Sequence, residues 1–156
     1  MNKVFLSLVF IAFIIGVANE KVNAQCKQQV VYNCATNNGK AIYLRDFNTK
    51  LRKSKGADSG TKWAVVLNKG THYRFNLCAQ SGFESSVVLT LFDAKHPENA
   101  PYVQTKSTND PKTDNRFDFI CQKSGTYYVS IRFKPGVEGK KSCAVGVLSF
   151  VGKSRR

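Results

Sequence analysis

From residue 30 to the C-terminus the apolar positions recur with period two, and no stretch sustains the 3.6-residue period of an amphipathic helix. In residues 71–78, Tyr73, Phe75 and Leu77 alternate with His72, Arg74 and Asn76, which predicts a half-buried strand. Residues 62–67 predict the strand before it, with Asn68, Lys69 and Gly70 as the turn between them. Residues 86–93 are apolar on both faces and predict a central strand, whereas residues 101–104 predict an edge strand. In residues 117–133, Phe117, Phe119 and Cys121 share one face, a Lys-Ser-Gly turn follows, and Tyr127, Val129, Ile131 and Phe133 line the core opposite Tyr128, Ser130 and Arg132. This pattern predicts a core hairpin. Val30, Val31 and Tyr32, then residues 41–44, predict two short strands around the turn residues Asn37, Asn38 and Gly39. Residues 142–151 predict the last strand. About eight short strands at the spacing typical of all-β domains imply an antiparallel β-sandwich or jelly-roll-like fold, with no helix expected.

Residues 1–24 are set apart from this pattern. Lys3 precedes an apolar run from Val4 to Val17, and Val22, Asn23 and Ala24 fit a cleavage point, so the segment reads as a secretory signal peptide. The run is shorter than the roughly 18 residues of a spanning helix. Lipidation of Cys26 is disfavoured, because Asn23 and Gln25 stand where a lipoprotein signal places a Leu and a small residue. The domain expectation is therefore a leader (1–24), N-terminal strands with a basic loop (25–61), a sandwich core (62–152) and a basic tail (153–156).

Export makes disulfides the first reading of the five cysteines, all of which follow the cleavage point. Cys34, Cys78, Cys121 and Cys143 are the bridge candidates. Cys26 and Cys34 also stand close enough to close a small loop, and Cys26 is the candidate free or N-terminal thiol. Spacing alone leaves the pairing open.

Charge adds the most to the picture. The chain holds 24 Lys and Arg against 10 Asp and Glu, a formal net charge of +14, of which the leader supplies one unit. Lys50, Arg52, Lys53 and Lys55 crowd one expected loop, Lys134, Lys140 and Lys141 a second, and Lys153, Arg155 and Arg156 the tail. The expected partners of such a surface are an anionic polysaccharide, lipopolysaccharide or an envelope protein, with nucleic acid bound only nonspecifically. Catalytic signals are weak. No G-x-S-x-G elbow occurs, His72 lies on a polar strand face, and His96 sits in a loop between Asp93 and Glu98. Asn109, Asp110, Asp114 and Asn115 lack EF-hand spacing and include Lys112 among them, so no metal and no cofactor is expected.

The succession Lys62-Trp63-x-Val65-x-Leu67-x-Lys69-Gly70-Thr71-x-Tyr73-x-Phe75, then Val87-Val88-Leu89-x-Leu91-Phe92-Asp93, then Phe117-x-Phe119-x-Cys121-x-x-Ser124-Gly125-Thr126-Tyr127-Tyr128-Val129 resembles the bacterial pre-peptidase C-terminal domain. It is also similar to small exported proteins of Bacteroidota in its last strand, Cys143 to Leu148. The resemblance implies a non-catalytic accessory β-sandwich. Calcium-binding members carry acidic residues where this chain has residues 50–60, which are basic apart from Asp58. The expected function is thus an exported, non-enzymatic binding or accessory protein of the cell envelope or an extracellular polymer. Two alternatives remain: a small secreted hydrolase or metal-dependent enzyme using the His96 loop, and an assembly subunit joined through the odd cysteine.

Overall fold

Among the described residues, eight strands form two four-stranded antiparallel sheets, with one helix laid on the outside. The structure is a computed structural model and describes residues 26, 28–52, 60–80, 82–83, 86–95, 97, 101, 103–104, 115–134, 137 and 141–154. The leader, the tail residues Arg155 and Arg156, His96, Tyr102 and most of the loop around Asp110 lie outside that set. In chain order the elements are α1 (Gln28–Thr36), β1 (Ile42–Arg52), β2 (Thr61–Leu67), β3 (Thr71–Ala79), β4 (Val87–Phe92), β5 (Val103–Gln104), β6 (Arg116–Ile120), β7 (Gly125–Phe133) and β8 (Lys141–Lys153). One sheet has the order β1-β8-β3-β6 and the other β2-β7-β4-β5. The fold is therefore the antiparallel β-sandwich that the period-two pattern implies. No described helix is long and apolar enough to cross a membrane.

The core is filled from both inner faces. Phe47, Phe75, Leu77, Leu89, Leu91, Val129 and Ile131 are all fully or almost fully buried within one cluster. β4 is buried on both faces, as its double apolar pattern requires, because it lies inside its sheet between β7 and β5. On its outer side Phe92 stacks on Tyr128, with ring centroids 5.5 Å apart, and Lys62 Nζ lies 5.6 Å from the Phe92 ring. Gly146 lies tightly under side chains of the facing sheet. A Cβ there would stand 2.8 Å from Leu89 Cδ1 and 3.0 Å from Ile131 Cδ1, so only glycine fits without movement.

Several local expectations fail, chiefly for tertiary reasons. Val30, Val31 and Tyr32 belong to helix α1 and not to a strand. Val30 and Cys34, four residues apart, face the same way, and together with Val31 they pack on Val145 and Val147 of β8. That packing outweighs the β-propensity of the two valines. The helix ends where Thr36 Oγ1 donates to the carbonyls of Tyr32 and Asn33, and Gly39 then turns the chain at φ 63°.

Residues 117–133 do not form a hairpin. β6 and β7 lie in opposite sheets, so the Lys-Ser-Gly segment is an arch across the sandwich. The β2–β3 turn crosses in the same way beside it, and the two arches are tied together. Gly70 N–H donates to the Cys121 carbonyl (2.8 Å), Cys121 N–H to the Thr71 carbonyl (3.0 Å), and Lys69 N–H to Ser124 Oγ (2.8 Å). An arch and a hairpin have the same side-chain alternation, which is why the pattern misled. Ser130, expected outside, points outward from the core yet is fully buried. β1 also runs on through Lys50 and Arg52, which the sequence placed in a loop.

The cysteine assignment is corrected too. Cys26 is bridged to Cys143 and Cys34 to Cys78, so the small Cys26–Cys34 loop does not exist and Cys26 is not free. Cys121 carries the free thiol and is buried. Both bridges tie the N-terminal segment to the outer face of the β1-β8-β3-β6 sheet, which supplies the two distant partners. Spacing along the chain could not reveal that.

Candidate functional site

Register does what sequence distance conceals: it gathers several of the basic residues at one corner. β1 and β8 pair so that Lys50 faces Cys143, Leu51 faces Ser142 and Arg52 faces Lys141. Gln80, just after β3, donates its N–H to the Cys143 carbonyl at 2.8 Å. The second sheet reaches the same end. Thr49 and Thr61 share a 2.7 Å hydroxyl hydrogen bond, and Thr61 pairs with Ile131, two residues before β7 ends at Phe133. Lys134 follows directly and donates its N–H to the Ser86 carbonyl at 2.9 Å. The end of β1, the start of β2, the end of β7 and the start of β8 thus meet. Lys53, Lys55 and Lys140, the other basic residues predicted here, lie outside the described residues.

Lys50, Leu51, Gln80, Lys141, Ser142 and Cys143 line a shallow recess of about 220 Å³ at this corner. Among the described residues neither Lys50 nor Lys141 forms an ion pair. Two ammonium groups with no carboxylate among the described lining residues leave a field that an anion lowers, and salt screens it over roughly 8 Å at physiological strength. The Cys26–Cys143 bridge and the Gln80 hydrogen bond hold the floor of the recess in place. What the recess offers a ligand is positive charge; none of the six lining residues forms a nucleophile–base pair.

A second polar cluster lies on the outer face of the same sheet. Arg74 grips Asp118 through Nε (2.7 Å) and a terminal nitrogen (2.8 Å), and its other terminal nitrogen donates to the Asn38 carbonyl at 3.3 Å. The Arg74 hydrogen bond holds the Asp118 carboxyl below its ordinary range, and partial burial works the other way. His72 Nε2 stands 3.1 Å from Asp118 Oδ2, out of line for a hydrogen bond. Nearby, Asn38 Nδ2 donates to Ser149 Oγ. A histidine, an aspartate and a serine therefore lie on one face, but the aspartate is engaged by arginine and the serine by an asparagine. The cluster fixes the turn between α1 and β1. His72, read from sequence as a surface residue, is half-buried here.

No family model matches the chain, and no curated protein matches it in sequence. Among solved structures it is similar to PliG of Aeromonas hydrophila, a periplasmic lysozyme inhibitor of g-type lysozyme. The TM-score is 0.53 and the identity 11%, over 70% of this chain and 88% of that one. At this identity the likeness is one of fold. The two disulfides fit a secreted or periplasmic protein.

Proposed function

We propose that the protein is an exported, non-enzymatic binding protein that holds an anionic polymer of the cell envelope at the basic end of its sandwich. The observation that carries this reading is the pairing of β1 with β8, which sets Lys50 and Lys141 on one recess with no carboxylate among its lining residues. The resemblance to pre-peptidase C-terminal domains supports the same accessory role, and so does a fold shared with an inhibitor.

The test is binding of the mature protein to lipopolysaccharide, an anionic polysaccharide, a neutral polysaccharide and DNA, at low salt and at about 0.15 M. One anionic polymer should bind at the higher salt, and Lys50→Glu with Lys141→Glu should weaken it at least tenfold. Weak binding to every polyanion alike, lost at 0.15 M, would sink the reading. The likeness to PliG favours a second reading in which the partner is a protein. Stoichiometric inhibition of a g-type lysozyme, unaffected by those two substitutions, would establish it in place of the first.

A further inference from the structure

The opposite half of β1 carries a surface of another kind. Its ladder to β8 shifts register between Tyr43 and Arg45, so Leu44 is an extra residue with no partner opposite. A bulge of this sort re-aims a side chain. Here it breaks the in–out alternation and leaves three consecutive apolar residues in solvent: Ile42 is 62% exposed, Tyr43 46% and Leu44 48%. Tyr32 of α1 (63%) stands across from them. Between helix and strand runs a groove of about 530 Å³, lined by Gln28, Gln29, Val31, Tyr32, Ala35 and Tyr43.

The edge strand of the other sheet runs alongside β1. Thr49 contacts Thr61, the Phe47 and Trp63 rings lie 5.4 Å apart, and Arg45 donates to the Ala64 carbonyl at 3.4 Å. The two edge strands therefore run antiparallel across the side of the sandwich. Scattered exposed leucines are ordinary, but a contiguous apolar patch beside a groove marks an interaction surface.

The rim is mixed but mainly basic: Lys40 and Arg45 are both exposed beside the patch, while Asp46 accepts a hydrogen bond from the Tyr43 hydroxyl at 2.5 Å. A second copy of the chain would bring the same cations and the same large positive charge against it. We infer that the groove between α1 and β1 is a docking site for a partner protein, which inserts an apolar segment flanked by carboxylates. Tyr32 and Tyr43 supply rigid aromatic contact area at the centre, and Lys40 and Arg45 meet the acidic flanks. This site lies at the far end of β1 from the Lys50 recess and stands or falls independently of it.

Panning the mature protein against a displayed library of random linear 12-residue peptides tests the assignment. Enriched peptides should place Leu, Ile or aromatic residues next to Asp or Glu. Their affinity should fall at least tenfold in Tyr32→Ala with Leu44→Ser, and several-fold in Lys40→Glu. It should be unchanged in Lys50→Glu with Lys141→Glu. All five positions are exposed or half-buried, and matching thermal unfolding would confirm intact folding. Failure to enrich such peptides, or affinity indifferent to Tyr32 and Leu44, overturns the inference. So does sedimentation showing a dimer that the Tyr32/Leu44 variant disperses, which would make the occupant a second copy.

Discussion

One strand, β1, has two unlike ends. At its start Ile42, Tyr43 and Leu44 are turned to solvent by a bulge, beside a groove whose lining is uncharged. At its finish Lys50 and Arg52 lie in register with the first residues of β8, over a recess flanked by lysines. Leu44 and Lys50 are separated by roughly 20 Å at about 3.3 Å per residue. Between them Phe47 and Thr49 are buried, as is Leu51 just beyond, so both ends are mounted on one rigid beam. A single edge strand can thus present two chemistries if its middle is fixed by the core.

The comparison breaks most sharply if one end is unpinned. Replacing Cys34 and Cys78 together by Ser releases α1, one wall of the apolar groove. The expected loss is about 2–4 kcal/mol of stability, read by urea denaturation, with peptide binding lost and polyanion binding retained. Equal loss at both ends would mean that the helix also organises the Lys50 corner.

Gly146→Ala attacks the shared beam. The new methyl meets Leu89 and Ile131 of the facing sheet, so about 1–3 kcal/mol should be lost, with both binding activities falling together near the unfolding transition. Lys50→Glu with Lys141→Glu addresses the basic end alone. Thermal stability should change by no more than about 0.5 kcal/mol while polymer binding drops.

The smallest effect concerns the turn that leads into the apolar end. Asp118 is held below its ordinary pKa by Arg74, so it contributes stability above the unfolded value of about 3.9 and loses it as pH falls toward the lower folded value. Wild type should exceed Asp118→Asn modestly at neutral pH, and the difference should shrink below about pH 4. Because this carboxylate is more than a third exposed, solvent keeps the effect small. A difference that grows on acidification would reverse the assignment.

The strands that alternate cleanly, β3 and β7 above all, were legible because half-burial writes period two directly into the residues. The arches were not, because Gln122 to Gly125 carries the same turn chemistry whether β7 folds back beside β6 or crosses over it. The helix was partly legible: Val30 and Cys34 stand four apart, but two adjacent valines spoke for a strand. Of the candidate site, the lysines were visible while their meeting was not. Lys50 and Lys141 are far apart in the chain, and only the β1–β8 register makes them neighbours. Likewise no spacing rule leads from Cys26 to Cys143.

The sealed thiol of Cys121 bears on how the chain matures. Five cysteines entering an oxidising compartment can exchange partners for as long as all of them are reachable, since exchange requires a thiolate with access to a sulfur. In the finished fold Cys121 is 1% exposed beneath the paired arches, with its Sγ against the Lys123 carbonyl and the Tyr127 hydroxyl. Closure of the arches removes the one competitor and leaves four sulfurs to settle into two bridges. Once the arches have closed, that thiol is out of reach of exchange, and the two bridges are drawn from the other four sulfurs alone.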